Sequence, residues 1–95
     1  MRVIIKEPGQ LPRWRYIDNT LKALQEAVGG YIETVTVMED VVMIVDEEGV
    51  LKGKKLNVIR GYPFAGTVVF AGVNGEDFDD CPLLAMKALF GGPDA

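Results

Sequence analysis

The run from Ile17 to Glu33, I-D-N-T-L-K-A-L-Q-E-A-V-G-G-Y-I-E, sets the tightest limit on what this chain can fold into. Both ends of a helix are marked in it, and a strand follows at once. Asp18 or Asn19 suits the N-cap, because a short side-chain oxygen accepts from the free amides of a first turn. Leu21, Leu24 and Val28 recur at i, i+3 and i+7 and form one stripe, which Ala23 and Ala27 widen. Lys22, Gln25 and Glu26 lie off it. Gly29 supplies the left-handed residue that ends a helix, and Gly30 frees the chain to turn. A helix of about ten residues does not persist alone in water, so this one has to dock on a sheet.

The remaining segments supply that sheet. Arg2 to Lys6 reads as a strand and Glu7 to Pro12 as a turn. Arg13 to Ile17 alternates, with Trp14 and Tyr16 to one side and Arg13, Arg15 and Ile17 to the other, and it pairs with the first strand as a hairpin. Tyr31 to Met38 is rich in β-branched residues and also alternates. Glu39 and Asp40 form a tight turn. Val41 to Val45 is apolar at every position, as a central strand covered on both faces is. The acidic Asp46-Glu47-Glu48-Gly49 is a turn. Val50 to Tyr62 reads as a loop with room for one helical turn. Phe64 to Val73 is a further strand, closed by Asn74-Gly75. Asp79 or Asp80 caps a last helix with Pro82 in its first turn. Leu83, Met86 and Phe90 form its stripe, flanked by Leu84 and Leu89, and Gly91-Gly92-Pro93 stops it. The order β-β-α-β-β-loop-β-α predicts a single α+β domain over residues 1–95, a mostly antiparallel sheet of about five strands with two helices on it.

Composition narrows the chemistry. The chain of 95 residues is long enough for one core without disulfides or a structural metal. It has no histidine, which removes the commonest general base and the commonest metal ligand together. Cys81 is the single cysteine, so no internal disulfide forms. The net charge of −4 argues against broad nucleic-acid binding, which requires a basic face. Only Val3, Ile4 and Ile5 precede Lys6, too few for a secretory apolar region. The uncharged run from Tyr62 to Asn74 is broken by small residues and cannot span a bilayer. These features predict a cytoplasmic protein with no membrane association and no cofactor.

At Glu7-Pro8-Gly9, Ile17 to Glu33, Asp46-Glu47-Glu48-Gly49 and Asn57 the chain resembles an uncharacterised family catalogued as domain of unknown function 3846. The resemblance runs from Met1 to about Phe78, and the Ile17 to Glu33 run is its specific part. Members are short proteins of phages, plasmids, conjugative elements and the bacteria that carry them. The resemblance implies a small accessory protein of a mobile element acting inside a bacterium. It brings no catalytic residues with it.

Candidate binding residues come from the cations. Arg13 and Arg15 share one strand face, with Cα atoms about 6.5–7 Å apart, a spacing that suits two phosphates or a carboxylate. Lys52, Lys54, Lys55 and Arg60 form the one local basic run. If it converges on the arginines, it lines an anionic-ligand pocket beside which Trp14, Tyr16 or Tyr31 can stack a base. A solvated strand face, a solvated loop and core aromatics are the plainer account of the same residues. The acidic groups Asp46 to Glu48 and Glu76 to Asp80 lack the alternating oxygen spacing of a calcium loop, and turn and cap roles account for them. The glycines around Phe64 to Gly75 lack a phosphate-loop lysine. Cys81 has two aspartates beside it and no histidine to activate it.

Two functions of different class follow. The first is a non-catalytic interaction module that pairs with itself or with a host protein and interferes with a host process or defence. The second is a binder or sponge for a nucleotide or other phosphorylated signal, using Arg13, Arg15, Lys54, Lys55 and Arg60 for charge and Trp14 or Tyr31 for stacking. An enzyme ranks behind both, since only lysine, tyrosine and carboxylate chemistry is left.

Overall fold

A computed structural model describes residues 1–91 of the chain. β1 (Arg2–Lys6) and β2 (Arg13–Tyr16) form the expected hairpin, with Val3 opposite Arg15 and Ile5 opposite Arg13. α1 (Leu21–Val28) follows. β3 (Ile32–Met38) and β4 (Val41–Asp46) make a second hairpin, with a bulge between Thr36 and Met38. β5 (Leu56–Ile59) and β6 (Tyr62–Ala65) form a separate two-stranded sheet. β7 (Val68–Asn74), β8 (Asp77–Asp79) and α2 (Ala85–Phe90) complete the order.

The main sheet runs β2-β1-β7-β4-β3, with β8 added to β7, and every pairing in it is antiparallel. The α+β class with two helices therefore holds, with eight strands among the described residues in place of about five. The sheet separates two cores. Leu24 and Val28 of α1 pack on Val3, Ile5, Val42, Ile44, Val69 and Ala71. On the opposite face, Ile59 of β5 and Ala85 and Leu89 of α2 cover Ile4, Val41, Met43, Val45, Val68, Phe70 and Cys81. β4 is buried along its whole length, as its apolar run requires of a strand with β7 on one side and β3 on the other.

Several boundaries move for physical reasons. Thr20, not Asp18 or Asn19, caps α1: its hydroxyl accepts from the Ala23 amide at 3.1 Å. The Asn19 side chain instead donates to the Phe78 carbonyl at 2.8 Å. Leu21, as the first helical residue, stays exposed while Leu24 and Val28 are buried. Gly29 is the left-handed C-cap as expected (φ 80°). The segment 50–62 is not simply a loop. It carries β5, inverted so that polar Asn57 is buried and apolar Leu56 and Val58 are exposed. Arg60 and Gly61 link it to β6 with positive φ at both positions (53° and 82°), the geometry of a two-residue hairpin turn. The strand expected over 64–73 is split at Gly66 (φ 92°) between β6 and β7.

The last helix also starts later than expected. Asp80 does not cap it, because its carboxylate accepts from the Arg2 amide at 2.7 Å. Leu84 holds the N-cap position without a side-chain hydrogen bond. Leu83 and Leu84 are exposed, and Ala85 and Leu89 form the buried stripe. Gly91 ends the helix, while Gly92 and Pro93 lie outside the described residues.

Candidate interaction site

Period-two alternation puts Arg13 and Arg15 on the α1 side of β2, opposite Ile5 and Val3. Both line an open cleft of about 790 Å³ between β2 and α1, whose other walls include Tyr16, Ile17, Ala23, Ala27 and Thr67. Its polar groups are mixed. Glu7, Asp18 and Glu26 line it too, and Arg13 is already paired with Glu7 at 3.3 Å. Trp14 points to the opposite face, packs on the second core and lies 5.7 Å from the Arg2 guanidinium. Tyr16, expected to share that packing, is 75 % exposed.

The lysines have a structural task. Asp46, at the end of β4, has a fully covered carboxylate. Its Oδ2 pairs with Lys54 Nζ at 2.6 Å and Lys52 Nζ at 2.9 Å, and its Oδ1 accepts from the Glu48 amide at 2.9 Å. The Lys54 hydrogen bond holds the carboxyl well below the usual range, burial opposes it, and Lys52 and the amide reinforce it. Both ammoniums also donate to the carbonyls that α1 leaves free: Lys54 to Val28 at 2.7 Å, Lys52 to Gly29 at 3.1 Å. Lysines at a helix C-terminus complement its dipole. Asp46 of the acidic turn and Lys52 and Lys54 of the basic run thus form one staple that locks α1 to β4.

The stem of Lys54 lies against Gly66, beside cleft-lining Thr67, and Lys55 Nζ stands near Gly9 in the β1–β2 turn. Two of the proposed cations therefore come to the neighbourhood of the cleft, one of them committed to Asp46. Arg60 does not: it sits on the other face of the sheet and donates to the Ala88 carbonyl at 3.3 Å. Tyr31 is exposed, and its carbonyl accepts from the Glu47 amide at the start of β3.

A different feature stands out once strand order is known. β2 and β3 are the two ends of the sheet path. β2 carries two arginines in four residues, and charge guards an edge. β3, I-E-T-V-T-V-M, carries one charge in seven residues, with Glu33, Thr34, Val35 and Thr36 all exposed. Its hydrogen-bond phase is set by the Tyr31 carbonyl accepting from Glu47 at 2.8 Å. Antiparallel pairs alternate between bonded and unbonded, so Glu33 and Val35 bond to Val45 and Met43 of β4. The amides and carbonyls of Ile32, Thr34 and Thr36 then face outward. The 3.2 Å bond from the Val73 amide to the Asp40 carbonyl gives β4 the matching phase toward β7.

Beside this edge, on the Trp14 side of the sheet, is an apolar cleft of about 510 Å³. Met43 and Phe70 line it with Val35, Val37, Ile59, Tyr62 and Phe64. Open backbone groups next to an apolar cleft are what a docked strand requires, main chain for affinity and side-chain pockets for selectivity. The sequence signal for the edge was present in Glu33 to Val37, but strand order, which makes it an edge, was not readable.

One family model, that of a domain of unknown function (DUF3846), matches residues 1–90. The chain belongs to this family. No curated protein and no solved structure matches it. The matched residues take in the eight described strands of this chain and both helices, and with them the Asp46 staple and the β3 edge. No helix among the described residues is long and apolar enough to cross a membrane.

Proposed function

We propose that this DUF3846 protein is a non-catalytic interaction module that receives an extended segment of a protein partner along β3. The observation that carries the reading is the outward phase of Ile32, Thr34 and Thr36 on a strand with one charge in seven residues. The chemistry of the remaining side chains supports it. The chain has no histidine. The Cys81 thiol is fully buried, and burial pushes its pKa up to about 11. Lys52 and Lys54 are committed to Asp46. The partner is a second copy of the chain or, in the setting that the family resemblance implies, a host protein of a bacterium carrying a mobile element.

A second reading, a binder of a phosphorylated small molecule, is favoured by the joint presence of Arg13 and Arg15 in the larger cleft. Three carboxylates in the same cleft weigh against it. One experiment separates the two. The full chain is purified from its host as wild type, as Thr34→Pro and as Arg13→Ala/Arg15→Ala. The module reading expects the associated protein to be lost only with Thr34→Pro. Retention in that variant, with a nucleotide-induced rise in melting temperature lost only in the double variant, would establish the binder instead.

A further inference from the structure

We infer that the occupant of the β3 edge is a second copy of this chain, paired antiparallel about Thr34. The inference rests on reading β3 as a docking edge and goes further by naming what docks. The regular part of β3 is bounded on one side by the closing Tyr31–Glu47 bond and on the other by the bulge after Thr36. Its centre is Thr34. Antiparallel pairing about that residue sets Thr34 opposite Thr34, Ile32 opposite Thr36 and Thr36 opposite Ile32. These are the three residues whose amides and carbonyls face outward, so every open group between bond and bulge finds a partner, and each pair exchanges two hydrogen bonds.

Side chains agree with this register. Glu33 faces Val35 of the other copy, so the one acidic residue of the edge never meets its own image. Like charges directly opposite destabilise a sheet, whereas β-branched residues facing one another favour it. The rival edge fails the same comparison: self-pairing of β2 about Trp14 would set Arg13 against Arg15. β8 is three residues long, two of them aspartate. A two-fold axis between the two copies of Thr34, perpendicular to the sheet, joins the sheets edge to edge and keeps the two α1 helices on the same face. The interface is isologous and closes at two copies.

The test uses the full chain. Light scattering after size exclusion should give twice the 10.4 kDa chain mass. Thr34→Pro should halve that mass and leave a folded monomer whose denaturation midpoint no longer depends on protein concentration, because the Thr34 amide makes no bond to β4 and proline is tolerated on an edge. Thr34→Cys should form a covalent dimer under mild oxidation, since Cα atoms of a bonded pair lie about 5.5 Å apart, within disulfide reach. Thr36→Cys should not, because its two copies would stand about 14 Å apart, four residues along the strand and one strand spacing across. Cys81 is fully buried and stays silent. A monomer up to millimolar concentration would overturn the inference. So would a dimer that survives Thr34→Pro, or one that cross-links through Thr36→Cys in preference to Thr34→Cys. A monomer that still loses a foreign protein with Thr34→Pro would overturn self-pairing alone and leave β3 as the docking edge.

Discussion

Replacing Asp46 with alanine removes the anion at the centre of the staple. Its carboxylate is fully covered, while the Lys52 and Lys54 side chains are 39 % and 24 % exposed. The substitution strands two ammoniums beside the carbonyls of Val28 and Gly29 and leaves the Glu48 amide without its acceptor. Breaking a buried ion pair from one side costs about 3–5 kcal/mol. Here both lysines can turn partly to water, which lowers the expectation to about 2–4 kcal/mol. For a domain near this size that lowers the melting temperature by roughly 10–25 °C.

The pH dependence follows from the direction of the shift. The folded pKa of Asp46 lies below its ordinary value of 3.8, so the folded state favours the ionised form. Its stabilisation is full above about pH 4 and is lost as pH falls through the folded pKa. Urea unfolding of wild type and Asp46→Asn should differ at pH 7 and converge progressively below about pH 4. A pH-independent gap between the two, or an Asp46→Ala variant with the wild-type midpoint, would refute the staple as a source of stability.

Asn57→Leu should cost about 2–4 kcal/mol, because the buried Asn57 amide donates to the carbonyls of Lys6 and Gly66 and accepts from Lys6 Nζ; denaturant titration measures it. Gly72→Ala should lose about 2 kcal/mol or more through overpacking, since its Cβ would stand 2.1 Å from the Asp80 carbonyl oxygen. An unchanged melting curve would show that β8 yields freely. Cys81 should resist thiol reagents in the native state, being fully buried and protonated, and label fully in urea.

The helix and the central strand were legible because each reports its own environment. Leu24 and Val28 mark one covered stripe, and five consecutive apolar residues mark a strand covered on both sides. The β5–β6 hairpin was hidden because its pattern is inverted. Asn57 goes inward to bind backbone carbonyls, and Leu56 and Val58 go outward. Its turn places Arg60 at positive φ, where propensity favours asparagine or glycine. Asp79 and Asp80 both look like caps locally, but Asp79 accepts from the neighbouring Asp80 amide and Asp80 from the Arg2 amide at the other end of the chain. The shared face of Arg13 and Arg15 followed from period two alone. Their separation from Arg60 and Trp14 did not, since nothing local says on which side of the sheet a later segment returns. The same holds for the β3 edge, which exists because β7 inserts between β1 and β4.

The β5–β6 hairpin shares no ladder with the six-stranded sheet. Its Asn57 links it by hydrogen bonds to Lys6 and Gly66, and Ile59 and Phe64 pack it on the second core. Opening of the hairpin as a unit would leave the pairings of β1, β4 and β7 intact, at the cost of exposing Ile59 and Asn57. Amide hydrogen exchange would see this as two populations, a hairpin that exchanges through a low-cost opening and a sheet interior that exchanges only on global unfolding. Since Ile59, Tyr62 and Phe64 form one wall of the apolar cleft beside β3, any opening of the hairpin would widen that cleft. Its capacity is then a property of the ensemble rather than of one shape.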